Sequence, residues 1–129
     1  MSNYTVVNFE DVDDSAVAAG LSPELDARFA KKQLGSGQTA VSRQRLAPGF
    51  RVPFGHKHET QEELYVVVDG AGSVKLDDDV VEVRQGDAIR VAPGTMRAFE
   101  AGPKGLELLA FGAPMGAAND AEMVQGWWG

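Results

Sequence analysis

The chain is cut into short apolar, β-branched runs by glycine, proline and aspartate, and this punctuation most constrains what it can fold into. "EELYVVVD" (62–69) is the clearest of these runs. Others read as strands at 4–9, 38–46, 51–58, 73–76, 80–83, 87–92, 96–101 and 106–111. Turn residues fall between them: Pro48-Gly49, "GAG" at 70–72, three aspartates at 77–79, Gln85-Gly86 and Pro93-Gly94. The aspartates lack the spacing and the glycine of a calcium loop, so they read as a hairpin turn. Many short strands joined by tight turns, with little helix, predict an all-β sandwich or barrel.

Two segments are less regular. Ser22-Pro23-Glu24 has the form of a helix start, and Leu21, Leu25 and Phe29 have helical spacing. The "GSG" at 35–37 and the strand after it favour a hairpin instead, with 28–34 as its first strand, and that reading is adopted. The tail, 112–129, has no clear period and ends in Trp127-Trp128, which read as packing over apolar surface, over the barrel mouth or over a neighbouring subunit.

A length of 129 residues suits one domain. The net charge of −7 and the absence of any basic stripe argue against nucleic acid and against an anionic membrane surface as partners. With no cysteine, disulfides and thiolate metal sites are excluded, which fits a cytoplasmic protein. The N-terminal stretch does not read as a secretory signal, and no apolar run approaches the length of a membrane span.

Strand alternation places Glu63, Tyr65 and Val67 on one face of 62–69, with Leu64, Val66 and Val68 on the other. Both faces are mainly apolar, so both are expected to be covered, the outer one by a second sheet, the tail or another subunit. A homodimer is the expectation that follows.

The only histidines, His56 and His58, stand one residue apart in "GHKHETQEELYVVVDG". On an extended chain they face the same side, together with Phe54. Two neutral imidazoles so placed suit a divalent metal, and Glu59, Glu62 or Glu63 offers a carboxylate to complete a three-ligand face. The bland alternative is a surface H-x-H pair followed by solvated acids.

This stretch resembles the first motif of the cupin superfamily, G-x(5)-H-x-H-x(3,4)-E-x(6)-G, on Gly49, His56, His58, Glu63 and Gly70, with one extra residue before His56. "GDAIRVAPGTMRAFEAG" resembles the second, G-x(5)-P-x-G-x(2)-H-x(3)-N, on Gly86 and Gly94. The resemblance covers roughly residues 38–111. It implies a single cupin domain over 1–129, folded as a double-stranded β-helix (jelly-roll) barrel. It also implies that His56, His58 and Glu63 are the metal ligands.

Arg97 departs from that pattern, for it stands where the second motif carries a histidine, and Ala101 replaces the final asparagine. The usual three-His-one-Glu site therefore cannot form. If the alignment holds, Arg97 and Phe99 look into the barrel. A guanidinium about 5 Å from a divalent ion would repel it by roughly 6–7 kcal/mol before compensation, at an effective dielectric near 20. Two arrangements follow: Arg97 pairs with Glu63 and takes the place of a metal, or it turns outward to grip an anion. The latter leaves a two-His-one-carboxylate face open to Fe, Mn, Ni or Zn. The plainest reading leaves Arg97 on the surface after a turn.

Gln44 shares a face with Ala40 and Leu46 and is expected to point inward, with Arg43 and Arg45 outward. Tyr65 either offers its hydroxyl to the cavity or packs. These residues predict a small polar or anionic organic ligand bound by Arg97, Tyr65, Gln44, Phe54 and Phe99, with a divalent metal possible. The competing expectations are a metal-dependent dioxygenase, isomerase or lyase, and a structural dimeric module with a vestigial pocket.

Overall fold

The computed structural model describes residues 3–114 and 120–128. Among these residues eight strands form one curled sheet, a barrel as the strand pattern predicts and of the jelly-roll kind that the cupin resemblance implies. They are β1 (Leu25–Phe29), β2 (Ala40–Leu46), β3 (Phe54–His58), β4 (Glu62–Leu76), β5 (Asp79–Arg84), β6 (Ala88–Val91), β7 (Arg97–Ala113) and β8 (Ala121–Gln125). Two one-turn helices, α1 (Ser15–Ala18) and α2 (Lys31–Leu34), complete it with a 3-10 turn over Phe9–Asp11. Among the described residues no helix is long and apolar enough to cross a membrane.

The long strands β4 and β7 run antiparallel and carry the architecture. The second half of β7 also pairs with β2, from Leu46 opposite Leu106 to Ala40 opposite Gly112. The sequence divides β4 at 70–72 and β7 at 102–105, whereas each is continuous. Gly70 does not turn the chain back. It sits at φ 77° beside register shifts in the β4–β7 ladder, which bend the pair across the barrel. Any Cβ there would lie 2.1 Å from the Gly105 carbonyl oxygen.

The alternation predicted for β4 holds. Tyr65 and Val67 are buried with Val74, Val91, Phe99, Leu106 and Leu108 in the core. Each fully buried aliphatic chain contributes roughly 1.5–3 kcal/mol. On the outer face, Leu64 and Phe111 are paired neighbours and remain 46 % and 40 % exposed. Among the described residues neither a second sheet nor the tail covers them, which leaves another subunit of the three expected covers. The aspartate turn is as predicted, joining β4 to β5 at Asp77-Asp78.

Three local readings are corrected. Residues 4–9 form no strand: Tyr4 and Val6 are 79 % and 88 % exposed, because β propensity without a ladder partner leaves only an extended segment. Phe9 and Glu10 instead cover Arg43, which faces away from the cavity as expected yet is buried beneath them. The strand placed at 28–34 lies earlier, at Leu25–Phe29. Leu25 and Ala27 there face the core and Asp26 pairs with Arg28, while Lys31–Leu34 coil into α2 and end at Gly35 with φ 68°. The tail is not without order, since β8 pairs with β3 from Phe54 opposite Gln125 to His58 opposite Ala121.

Candidate functional site: a charged cluster in the barrel cavity

The barrel encloses a cavity of about 450 Å³. Its walls are mostly apolar, from Leu21, Leu25, Val52, Ala110 and Met123 among others. All eight residues singled out in the sequence line it: Gln44, Phe54, His56, His58, Glu63, Tyr65, Arg97 and Phe99. The alternative carboxylates do not. Glu59 and Glu62 are exposed, and Glu62 pairs with Arg90 outside.

Strand periodicity explains the convergence. Glu63 and Tyr65 are two apart on the inner face of β4, His56 and His58 two apart on β3, and Arg97 and Phe99 two apart on β7. His56 stands opposite Arg97 in the only paired position between β3 and β7 among the described residues.

Oε1 of Glu63 is the hub. The Tyr65 hydroxyl donates to it at 2.6 Å, the Nε2 atoms of His56 and His58 each lie 3.4 Å away, and Nη2 of Arg97 is 3.3 Å away. The Tyr65 ring in turn rests against Phe99, with centroids 4.9 Å apart. Gln44 sits across the cavity, donating to Ser42 Oγ at 3.3 Å.

These contacts set the charge states. Burial, the largest single influence on Glu63, works against its ionised form. Its contacts with the His56 and His58 rings, the hydrogen bond from Tyr65 and the Arg97 charge together outweigh it and hold the carboxyl well below the usual range. Burial likewise disfavours a charged His58 ring, yet Glu63 and Asp120 together raise its pKa. Tyr65 is pushed well above its ordinary value by burial first and then by the Glu63 charge, so it is a proton donor to the carboxylate throughout the neutral range.

Arg97 is wholly buried. Its Nη1 donates to the Thr95 carbonyl at 3.0 Å and to the His56 carbonyl at 3.4 Å, which ties β3 to the start of β7. Among the described residues its Nε and Nη2 have no hydrogen-bond partner. The side chain is therefore turned inward onto Glu63, as in the first of the two arrangements, and not out toward the mouth.

The donor set fits a metal at three positions and not at four. One ligand atom from each of His56, His58 and Glu63 lies within 4.8 Å of the others. The 3.4 Å separation of Oε1 from both Nε2 atoms equals the edge of a tetrahedron with bonds of about 2.1 Å. Arginine cannot act as a ligand.

Asp120, Gln61 and the β8 residues Ala121 and Met123 escaped the sequence reading. Asp120 lies just before β8, with Oδ1 2.6 Å from His58 Nδ1. Its Oδ2 accepts from Thr60 N at 2.8 Å, Thr60 Oγ1 at 3.1 Å and Gln61 N at 3.1 Å. These bonds, the backbone one from Thr60 foremost, hold its carboxyl well below the usual range. Gln61 is buried and lines the cavity beside Ala121 and Met123. The signal available for Gln61 was its place between His58 and Glu63; for Asp120 there was only one acid ahead of a short run.

Comparison with known proteins agrees with this geometry. The cupin domain profile matches residues 42–111. An uncharacterised protein of Methanocaldococcus jannaschii is 35 % identical over 71 residues, which is 54 % of this chain and 57 % of that one, so the match spans little more than half of the relative. Among solved structures, a cupin protein of Bacteroides fragilis superposes with a TM-score of 0.73 at 24 % identity, covering 92 % of this chain and 91 % of its own. Streptomyces Pac13 with uridine gives 0.73 at 21 % identity, covering 98 % and 93 %. The polyketide cyclase RemF of Streptomyces resistomycificus gives 0.67 at 21 %, covering 90 % and 88 %. At these identities the structural likenesses speak for the barrel alone. The profile match over more than half the length is what decides kinship: the chain belongs to the cupin family.

Proposed function

We propose that this protein binds a small polar or anionic organic molecule in the barrel cavity. Arg97 is the charged contact, Tyr65 and Gln44 are the polar ones, and Phe54 and Phe99 supply apolar wall. The observation that carries this reading is the buried Arg97 head group: among the described residues two of its nitrogens lack hydrogen-bond partners, and its one carboxylate neighbour is shared with three other side chains. A buried donor without an acceptor costs about 1–3 kcal/mol, more when charged, and a ligand oxygen would relieve that cost. Among fold neighbours, Pac13 is a nucleoside dehydratase seen with uridine, in keeping with a small organic ligand here. The test is thermal shift with a panel of small carboxylates. At least one is expected to raise the Tm of the wild type and to bind Arg97→Met about tenfold more weakly or worse. Equal shifts in both proteins would remove Arg97 from the ligand.

The second reading is a metal-dependent enzyme, a dioxygenase, isomerase or lyase, with Fe, Mn, Ni or Zn on His56, His58 and Glu63. The proximity of the three donors, with Glu63 Oε1 3.4 Å from each Nε2, favours it. A divalent ion there would act as a Lewis acid toward a substrate oxygen. Elemental analysis of untagged protein separates the readings. Less than about a tenth of an equivalent, with no gain on adding these ions, counts against the metal. Arg97→His restores a fourth donor and should tighten ion binding; an unchanged affinity would place residue 97 out of reach of the ion.

A cytoplasmic homodimer meeting through Leu64 and Phe111 completes the proposal. Sedimentation showing only a 13.7 kDa species at micromolar concentration would overturn the dimer.

A further inference from the structure

His56 and His58 are not equivalent. Among the described residues His56 touches no carboxylate but Glu63, whereas His58 has Glu63 on one ring nitrogen and Asp120 on the other. Both oxygens of Asp120 are committed. Oδ1 lies 2.6 Å from His58 Nδ1, and Oδ2 receives two backbone N–H groups and a hydroxyl from Thr60 and Gln61. All four bonds end on His58 or on the two loop residues 60 and 61 between β3 and β4.

We infer that Asp120 is a positioning residue for the cavity: by taking Nδ1–H of His58 it fixes the ring and leaves the Nε2 lone pair turned toward Glu63, ready for a divalent cation. This inference rests on the metal reading of His56, His58 and Glu63. A ring nitrogen presents a lone pair to a metal only when the proton sits on the other nitrogen, and the partner of that other nitrogen decides where the proton sits.

The fixed donors around Asp120 make the consequence of an isosteric change predictable. In Asp120→Asn the amide oxygen must stay where the Thr60 and Gln61 backbone N–H groups point, because an NH₂ there would face two donors. The NH₂ is then left against His58 Nδ1, which must accept. The ring proton moves to Nε2 and occupies the direction of the ion. Asp120→Ala removes the support but imposes no tautomer. Ion affinity should therefore fall in the order wild type, Ala, Asn, although Asn is the closer mimic in size and hydrogen bonding.

The experiment uses the full chain and two readouts. Long-range ¹H–¹⁵N NMR of the metal-free protein, taken at alkaline pH once the ring signals stop moving with pH, reports the tautomer of the neutral rings. Titration with Co(II) alone reports affinity. His58 is expected as the Nδ1–H tautomer in the wild type and as Nε2–H in Asp120→Asn. Co(II) binding should weaken by 10- to 100-fold or more in Asp120→Asn, and by less in Asp120→Ala. If wild type binds no Co(II), the metal reading fails while the tautomer exchange still tests Asp120. An Nε2–H tautomer in the wild type, the same tautomer in wild type and Asp120→Asn, or equal Co(II) affinity in both overturns the inference. The wild-type spectrum alone decides it should the Asn variant fail to fold.

Discussion

The two walls that bear the charged cluster are held in unequal ways. Glu63, Tyr65, Arg97 and Phe99 stand on β4 and β7, which pair along nearly their whole length and carry much of the buried core. His56 and His58 stand on β3, which meets β7 at one position and is otherwise paired to β8 along all five of its residues. The tail in turn is clamped by its tryptophans. Trp127 packs on Gly55, where a Cβ would lie 2.6 Å from its ring, and Lys75 sits 4.2 Å from the Trp127 ring centroid. Trp128 Nε1 donates to the Val52 carbonyl at 3.1 Å, with Arg51 stacked on its ring. The carboxylate and guanidinium are thus fixed by the hydrophobic core, and the imidazoles by the C-terminal strand.

If that contrast is real, damage to the first wall must unfold the molecule. Gly70→Ala is the most severe single change in view, since the new methyl would meet the Gly105 carbonyl oxygen in a backbone conformation already hostile to a side chain. A loss of about 3–5 kcal/mol in urea denaturation is expected, with every spectroscopic probe moving together. A loss under about 1 kcal/mol would mean that the β4–β7 crossing can open without cost.

The same contrast explains what could be read from the sequence. Alternation puts Glu63 with Tyr65 on one face of β4 and Arg97 with Phe99 on one face of β7, the cupin resemblance turns the latter face inward, and all four line the cavity. Their continuity was hidden, because "GAG" and the Pro103–Gly105 stretch look like turns until the close approach of the two backbones is seen. Local pattern also cannot show which oxygen reaches which nitrogen, so the inward turn of Arg97 onto Glu63 stood as one of two arrangements. The second wall was legible only in half. The histidines are plain, but β8 is five residues of mixed polarity whose partner is more than sixty positions away. Asp120 finds His58 across that same distance. Residues 4–9 show the converse: strong strand composition, no edge to join, and no strand.

A smaller and local effect is expected from the second wall. Trp127→Ala removes a half-buried ring and should cost about 1–2 kcal/mol, confined to the tail. Native-state hydrogen exchange is the appropriate measurement. The β3 and β8 amides should exchange about 10- to 30-fold faster while the paired centre of β4 and β7 keeps its protection. A uniform rise across all strands would show that the two walls open as one unit and would dissolve the distinction between them.

The gentlest probe is Lys75, which reaches from β4 to the tail: its ammonium donates to the Trp127 carbonyl at 3.0 Å and lies over the ring. Lys75→Met keeps much of the aliphatic stem and removes both interactions. A cation–π contact at a partly exposed site is worth about 0.5–1 kcal/mol, so exchange in β3 and β8 should quicken by about fivefold at most. The amides affected should be the same ones that respond to Trp127→Ala, in the same order, because both substitutions loosen one clamp. If Lys75→Met instead speeds exchange along β4 itself, the lysine serves its own strand, and the tail depends on tryptophan packing alone.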